Sequence, residues 1–158
     1  MGYMIEIKET HDFLLLADLN KDLHQYHCAL EPKVFKPYER ETMLKWFEQL
    51  MAEETTYAYV AYREDQTLGF VLAMLKTEEE NNFKYANRYL YLDQIWVNEN
   101  VRQAGVGRQL VQKVSDLARD LGIEEIQVDH WSRNQTAAAF FSDWGFSYIK
   151  QRMRIHLT

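Results

Sequence analysis

One unit of the chain leaves it little freedom in how it can fold. A run rich in branched and aromatic residues, Tyr85 to Val97, is followed by Arg102-Gln103-Ala104-Gly105-Val106-Gly107, and then by apolar residues at Leu110, Val114, Leu117 and Leu121. The first part has the composition of a strand and the last the period of an amphipathic helix. Glycines in the joining loop remove side chains, so backbone N–H groups at the helix start can close on an anion, and the helix dipole adds positive potential there. Alone, an RxxGxG spacing serves equally well as punctuation before a helix. A P-loop is excluded, because Arg108 and Gln109 follow Gly107 where that motif needs Lys and Ser or Thr. A dinucleotide fold is excluded too, because the loop has one GxG step and not GxGxxG.

The strand before the loop slips. Its aliphatic positions run Leu90, Leu92, then Ile95, Val97, so the period of two shifts by one residue at Asp93 and Gln94. This predicts a β-bulge, which frees backbone groups and re-aims side chains, often beside an active site. Tyr89, Tyr91 and Trp96 fill the opposite parity, which leaves open a strand buried on both faces.

Upstream, Thr10 can cap a helix with apolar positions Leu16, Leu19, Leu23, Tyr26 and Leu30, and a second helix carries Met43, Leu44, Phe47, Leu50 and Met51. Between them lie both prolines, Pro32 and Pro37, in a loop from Glu31 to Tyr38. Tyr57 to Arg63 and Leu68 to Lys76 read as strands joined by a turn at Glu64 to Thr67. Downstream, Gly122 can end the helix, Glu125 to Trp131 reads as a strand, and Asn134 caps a helix closed by Gly145. Tyr148 to Leu157 is expected to form a final strand.

With 158 residues, 47% of them apolar, the chain is expected to be one domain with a substantial core. A net charge of −6 disfavours nucleic acid and suits a cationic small molecule, although acidic surfaces are common in soluble proteins. The single cysteine, Cys28, cannot form an internal disulfide, and no run approaches the ~20 apolar residues of a membrane span. The expected location is the cytoplasm. His24, His27 and Cys28 lie together on the first helix, but no fourth ligand stands at a recognisable spacing, so no metal is expected.

Three motifs in order give the chain a family resemblance. Leu92, Asp93 and Val97 stand for LExxxV, Arg102, Gly105 and Gly107 for RxxGxG, and Asn134, Ala137, Phe140, Phe141, Gly145 and Phe146 for NxxAxxFYxxxGF. The chain resembles the GCN5-related N-acetyltransferase (GNAT) superfamily, in detail over residues 90 to 146. The resemblance implies an α/β (α+β) fold: a mixed, strongly twisted, mostly antiparallel sheet, bulged and splayed at its middle, with helices on both faces. It implies acetyl-CoA as co-substrate, entering between the strands that end at Val97 and near His130. The thioester and pantetheine would meet the stretch Ile95, Trp96 and Val97. The pyrophosphate would meet Arg102, Gln103, Ala104, Gly105, Val106, Gly107 and Arg108, with Asn134, Ala137, Phe140 and Phe141 completing the donor site. The reaction implied is direct attack by the amine of a small molecule or peptide, with no covalent enzyme intermediate and no role for Cys28 as nucleophile. The rival is an acyl-CoA sensor of the same fold without turnover.

Phe141 stands where many members carry a tyrosine that protonates the departing thiolate. A thiol of pKa ~8.5 needs little help, since at pH 7 its thiolate lies roughly 2 kcal/mol above it. Tyr148, Tyr91 or water could supply the proton. The amine is the harder demand, because an ammonium of pKa ~10.4 must give up a proton at a cost of ~4.6 kcal/mol at pH 7. Asp93 takes the place of the family's strand glutamate; it either accepts that proton or only satisfies the bulge and orients substrate. Tyr26, His27, Phe35 and Tyr38 stand where the family caps its acceptor pocket, and Tyr91, His130 and Trp131 are further candidates to line it. Each serves equally as a core residue. A homodimer is left open.

Overall fold

The computed structural model describes residues 4–102 and 104–158, and the strand, loop and helix unit at its centre forms as the periodicity predicts. In chain order the elements are β1 (Ile5–Glu9), α1 (Phe13–Leu30), α2 (Arg40–Met51), β2 (Thr56–Arg63), β3 (Gln66–Glu78), β4 (Asn87–Val97), a 3-10 turn (Glu99–Val101), α3 (Val106–Asp120), β5 (Ile126–Val128) and α4 (Gln135–Trp144). The sheet order is β1-β2-β3-β4-β5, with antiparallel neighbours up to β4 and β5 parallel to β4. The parallel step follows from α3, since only a crossover can return the chain to the same end of the sheet.

Helices cover both faces. Leu16, Ala17 and Leu23 of α1 and Phe47 of α2 pack on Ala58, Val60, Phe70, Leu72 and Trp96. Leu110, Val111, Val114 and Ala118 of α3, with Phe141 of α4, pack on Tyr59, Ala61, Val71, Ala73, Leu90 and Leu92. Side chains such as Phe47, Phe70, Leu72 and Leu110 are fully buried. Each contributes about 1.5–3 kcal/mol relative to exposure.

The slip in β4 is a bulge. Leu72 pairs with Gln94 and Ala73 with Leu92, so Asp93 is the extra residue. It brings Ile95 and Val97 onto the same face as Leu90 and Leu92, against α3, and turns Trp96 toward α1 and α2. β5 accompanies β4 only at Leu90, Tyr91 and Leu92; beyond them the sheet splays and one edge of β4 stands open.

Three expectations need correction. The final strand does not form: Tyr148 to Leu157 has no strand geometry, because the alternation is present but no neighbouring edge of the chain pairs with it. The cap of α1 is Asp12, whose carboxylate accepts from the Leu15 N–H at 3.1 Å, while Thr10 Oγ1 accepts from the Asp12 N–H one step outside the helix. A first strand, β1, over the alternating Ile5, Glu6, Ile7 and Lys8, precedes α1 in a stretch the sequence reading left unassigned. The strand expected at Glu125 to Trp131 is limited to Ile126–Val128, because its end diverges from β4. Among the described residues no helix is long and apolar enough to cross a membrane.

Candidate active site

The chain leaves β4 through the 3-10 turn and enters α3 at Gly105, the N-cap, whose φ of 84° is left-handed backbone that favours glycine. Among the described residues no side chain caps this helix. The N–H groups of Val106, Gly107 and Arg108 therefore have no acceptor among those residues, and they carry the positive end of the α3 dipole. Val106 is buried and anchors the loop to the core, while Ala104 is exposed. Gln103 lies outside the described residues. Arg102 is held by two contacts: its Nε donates to the Val97 carbonyl at 3.1 Å, and its guanidinium sits 4.5 Å from the Trp96 ring centre. Arg108 lies 5.6 Å over the Trp144 ring.

A Cβ on Gly107 would stand 3.1 Å from the Phe140 ring, so glycine lets the first turn of α3 press on α4. Asn134 starts α4 by accepting from the Ala137 N–H at 3.0 Å, and the same Oδ1 accepts from the Tyr26 hydroxyl at 3.4 Å. The Tyr26 ring also lies 5.7 Å from Trp96, so this α1 side chain bridges the open edge of β4 and the start of α4. Asn134→Ala removes both acceptor roles. The expected loss is about 1 kcal/mol of stability, read as a lower Tm in a thermal melt.

Asp93 is half-buried at the bulge, and burial pushes its carboxyl above the usual carboxylate range, opposed by a Gln94 hydrogen bond and by Lys76. Gln94 in turn accepts from Asn20 Nδ2 at 2.9 Å. Tyr91 donates to Asp129 at 2.8 Å, and burial, followed by that hydrogen bond and the Asp129 charge, raises its phenol well above the ordinary value. Its proton is thereby committed to Asp129. The Tyr148 hydroxyl lies 3.2 Å from His130 Nε2, and His130 stacks on Phe141 at 6.4 Å. Phe141 is buried and bears no polar atom, and the imidazole stacked on it is the one that meets the Tyr148 hydroxyl.

The aromatic residues expected around the acceptor separate into two groups. His27 stacks on Phe35 at 5.1 Å, and Phe35 meets Trp131 edge-on at 5.4 Å, giving one continuous wall from α1 to the end of β5. Burial, and secondarily the neighbouring His24, lowers the pKa of His27. Tyr38 instead donates to the Ala17 carbonyl at 2.7 Å and holds the loop against α1. His24 and Cys28 both reach the Lys36 carbonyl, at 2.6 and 3.2 Å. Trp96, expected at the donor, has its ring in the α1/α2 core and its backbone opposite Phe70 of β3, so neither faces the open edge, which is left to the backbone of Ile95 and Val97.

An open cavity of about 610 Å³ lies where α1 meets the end of β4, and its lining includes Asp22, Gln25, Tyr26, Trp96, Asn98 and Glu99. Among the described residues two carboxylates and no basic side chain line it. Sequence reasoning assigned none of Asp22, Gln25, Asn98 and Glu99 to a site. The helical spacing of Asp22 and Tyr26 on one face of α1 was the available signal.

A family model for the acetyltransferase (GNAT) family matches residues 20–146. Among curated proteins no sequence matches this one. A tetramutant of protein BH1408 from Bacillus halodurans is 19% identical, with a TM-score of 0.89 and coverage of 96% of this chain and 99% of that one. The aminoglycoside N-acetyltransferase AAC(6')-Iy, solved in complex with CoA, is 19% identical at a TM-score of 0.79, covering 99% and 97%. A transcriptional regulator from Bacillus halodurans C-125 is 18% identical at 0.74, covering 98% and 100%. These likenesses describe the shared fold, and the family match spans most of the chain: it belongs to the GNAT acetyltransferase family and is an acyltransferase.

Proposed function

We propose that the protein is a single-domain cytoplasmic N-acetyltransferase that moves the acetyl group of acetyl-CoA to the amine of a small molecule or peptide. The observation that carries this reading is the glycine-flanked start of α3, uncapped among the described residues, beside the open edge of β4. Free amides and a helix dipole suit a diphosphate, and an unpaired strand edge suits the amides of pantetheine. The 610 Å³ cavity with Asp22 and Glu99 suits a cationic acceptor, and the chain's net charge of −6 favours its approach.

In the reaction the amine nitrogen attacks the thioester carbon, the N–C bond forms, and the C–S bond breaks as the tetrahedral intermediate collapses. Asp93 takes the amine proton, directly or through water. The thiolate leaves as such or takes a proton from Tyr148, whose hydroxyl meets His130. Positioning and polarisation of the carbonyl by backbone N–H groups near Ile95 and Val97 supply most of the acceleration. The experiment is release of free thiol from acetyl-CoA across polyamines, aminoglycosides, amino acids and peptide N-termini. An acceptor that accelerates release supports the reading. Absence of any thermal shift with acetyl-CoA would remove the donor site as well.

Phe141 favours a second reading, a non-catalytic acyl-CoA sensor, because the buried ring supplies no proton. Tight acetyl-CoA binding with no response to any amine is the result expected of a sensor.

A further inference from the structure

Arg102 carries a charge that the fold answers without an acid: among the described residues it makes no ion pair. Its guanidinium lies 4.5 Å from the Trp96 ring centre, and its Nε donates to the Val97 carbonyl at 3.1 Å. Both partners belong to the end of β4, and they point in different directions. The Trp96 carbonyl is turned to β3, where a Cβ on Gly69 would collide with it, and the Asn98 N–H bonds the Leu68 carbonyl. Backbone groups alternate along a strand, so the Val97 carbonyl between them points to the open edge. That is the edge on which the pantetheine amides would pair, and Arg102 already occupies one of its acceptors.

The Trp96 ring lies on the α1 side and lines the cavity with Asp22, Tyr26 and Glu99. Under Arg102 the residue is only 8% exposed, and its Nε1 has no hydrogen-bond partner among the described residues. Arg102 itself is exposed, so it can leave the ring without disturbing the core. An indole face beside a cavity with two carboxylates is a strong place for a cation. The cation it holds in the free protein is the chain's own.

We propose that the Trp96 face is a subsite for a cationic, non-reacting group of the acceptor, and that Arg102 occupies it in the acceptor's place until the donor binds. The inference rests on the donor site at the start of α3. Acetyl-CoA competes for both contacts of Arg102. A pantetheine N–H takes the Val97 carbonyl, and the diphosphate, bound from Gly105 onward, offers the guanidinium charge-assisted bonds stronger than one to a neutral carbonyl. Drawn to the phosphates, Arg102 uncovers the ring, and the cavity gains an aromatic wall beside Asp22 and Glu99. The acceptor class narrows to amines with a second positive charge. The nitrogen that attacks must first be neutral, whereas the group on Trp96 keeps its charge.

The test titrates the full chain with spermidine, a linear polycation, alone and with saturating CoA, by calorimetry at fixed salt. CoA bears no acyl group, so no turnover intervenes. CoA is expected to raise the affinity for spermidine about tenfold, and spermidine to raise that for CoA by the same factor. Arg102→Ala is expected to bind spermidine without CoA as tightly as the unaltered chain does with it, so that the coupling vanishes. In nuclear magnetic resonance of the isotope-labelled protein, the Arg102 Nε–H signal is expected to lose its ring-current displacement from Trp96 when CoA binds. Coupling that persists in Arg102→Ala would be plain charge attraction and would overturn the proposal. So would an Arg102 signal that CoA leaves in place, or spermidine that binds no better with CoA than without it. Failure of CoA to bind at all is a different result, because it removes the donor site and the proposed function along with this inference. If the variant does not fold, the signal and the reciprocal coupling in the unaltered chain decide the question.

Discussion

Gly107→Asp lowers the affinity for acetyl-CoA by about 10- to 100-fold, measured by isothermal titration calorimetry at fixed salt. The expectation follows from setting a carboxylate against the diphosphate, which offsets charge-assisted hydrogen bonds from the backbone amides worth roughly 1.5–3 kcal/mol. The same change brings a Cβ to 3.1 Å from the Phe140 ring, so part of any loss could be steric. Gly107→Ala separates the two, since it adds the Cβ without the charge and is expected to cost only a small part of the affinity. If the aspartate variant binds as the unaltered chain does, the start of α3 is not where the donor is held.

Asp93→Asn reduces turnover by about 10²- to 10⁴-fold, the usual worth of a positioned base, with little change in acetyl-CoA affinity. The same variant is expected to be more stable at neutral pH. Burial raises the carboxyl's folded-state pKa, so the folded protein binds a proton more readily than the unfolded chain does. Its contribution to stability is therefore greatest at low pH and declines as pH rises through the window between the unfolded and the raised folded value. An amide carries no such penalty. Melting temperature against pH should show the variant's advantage at pH 7 and its disappearance below pH ~3, where the native carboxyl is protonated in both states. Turnover of the unaltered chain should fall on the acidic side as the base takes up its proton. A normal rate in the variant would clear Asp93 of any proton role and leave it as a bulge residue.

What can be read from the sequence is what is periodic or local. The bulge is visible because inserting one residue inverts parity, and Leu90, Leu92, Ile95 and Val97 record that inversion. Asn134 is legible as a cap because its side chain bonds three residues ahead. What cannot be read depends on partners distant in the chain. Asp22 and Glu99 share a cavity only because α1 packs over the end of β4, and no spacing of theirs encodes that. Tyr38 has the character of a pocket residue, but its hydroxyl is taken by Ala17. Tyr91 and Tyr148 are equivalent as proton donors until the fold gives one to Asp129 and the other to His130. The final strand fails for the same reason. Alternation specifies a face and says nothing of whether an edge lies beside it.

The unequal pairing of β4 has a mechanical consequence. One side of this strand is stitched to β3 from Gly69 to Glu78, while the other is tied to β5 at three residues only. Stiffness in a sheet grows with the number of rungs, so the meander of β1 to β4 is a firm plate and β5 a compliant hinge leaf beside it. A guest that wedges between them deforms the weaker joint and leaves the plate, and with it the geometry around Asp93, undisturbed.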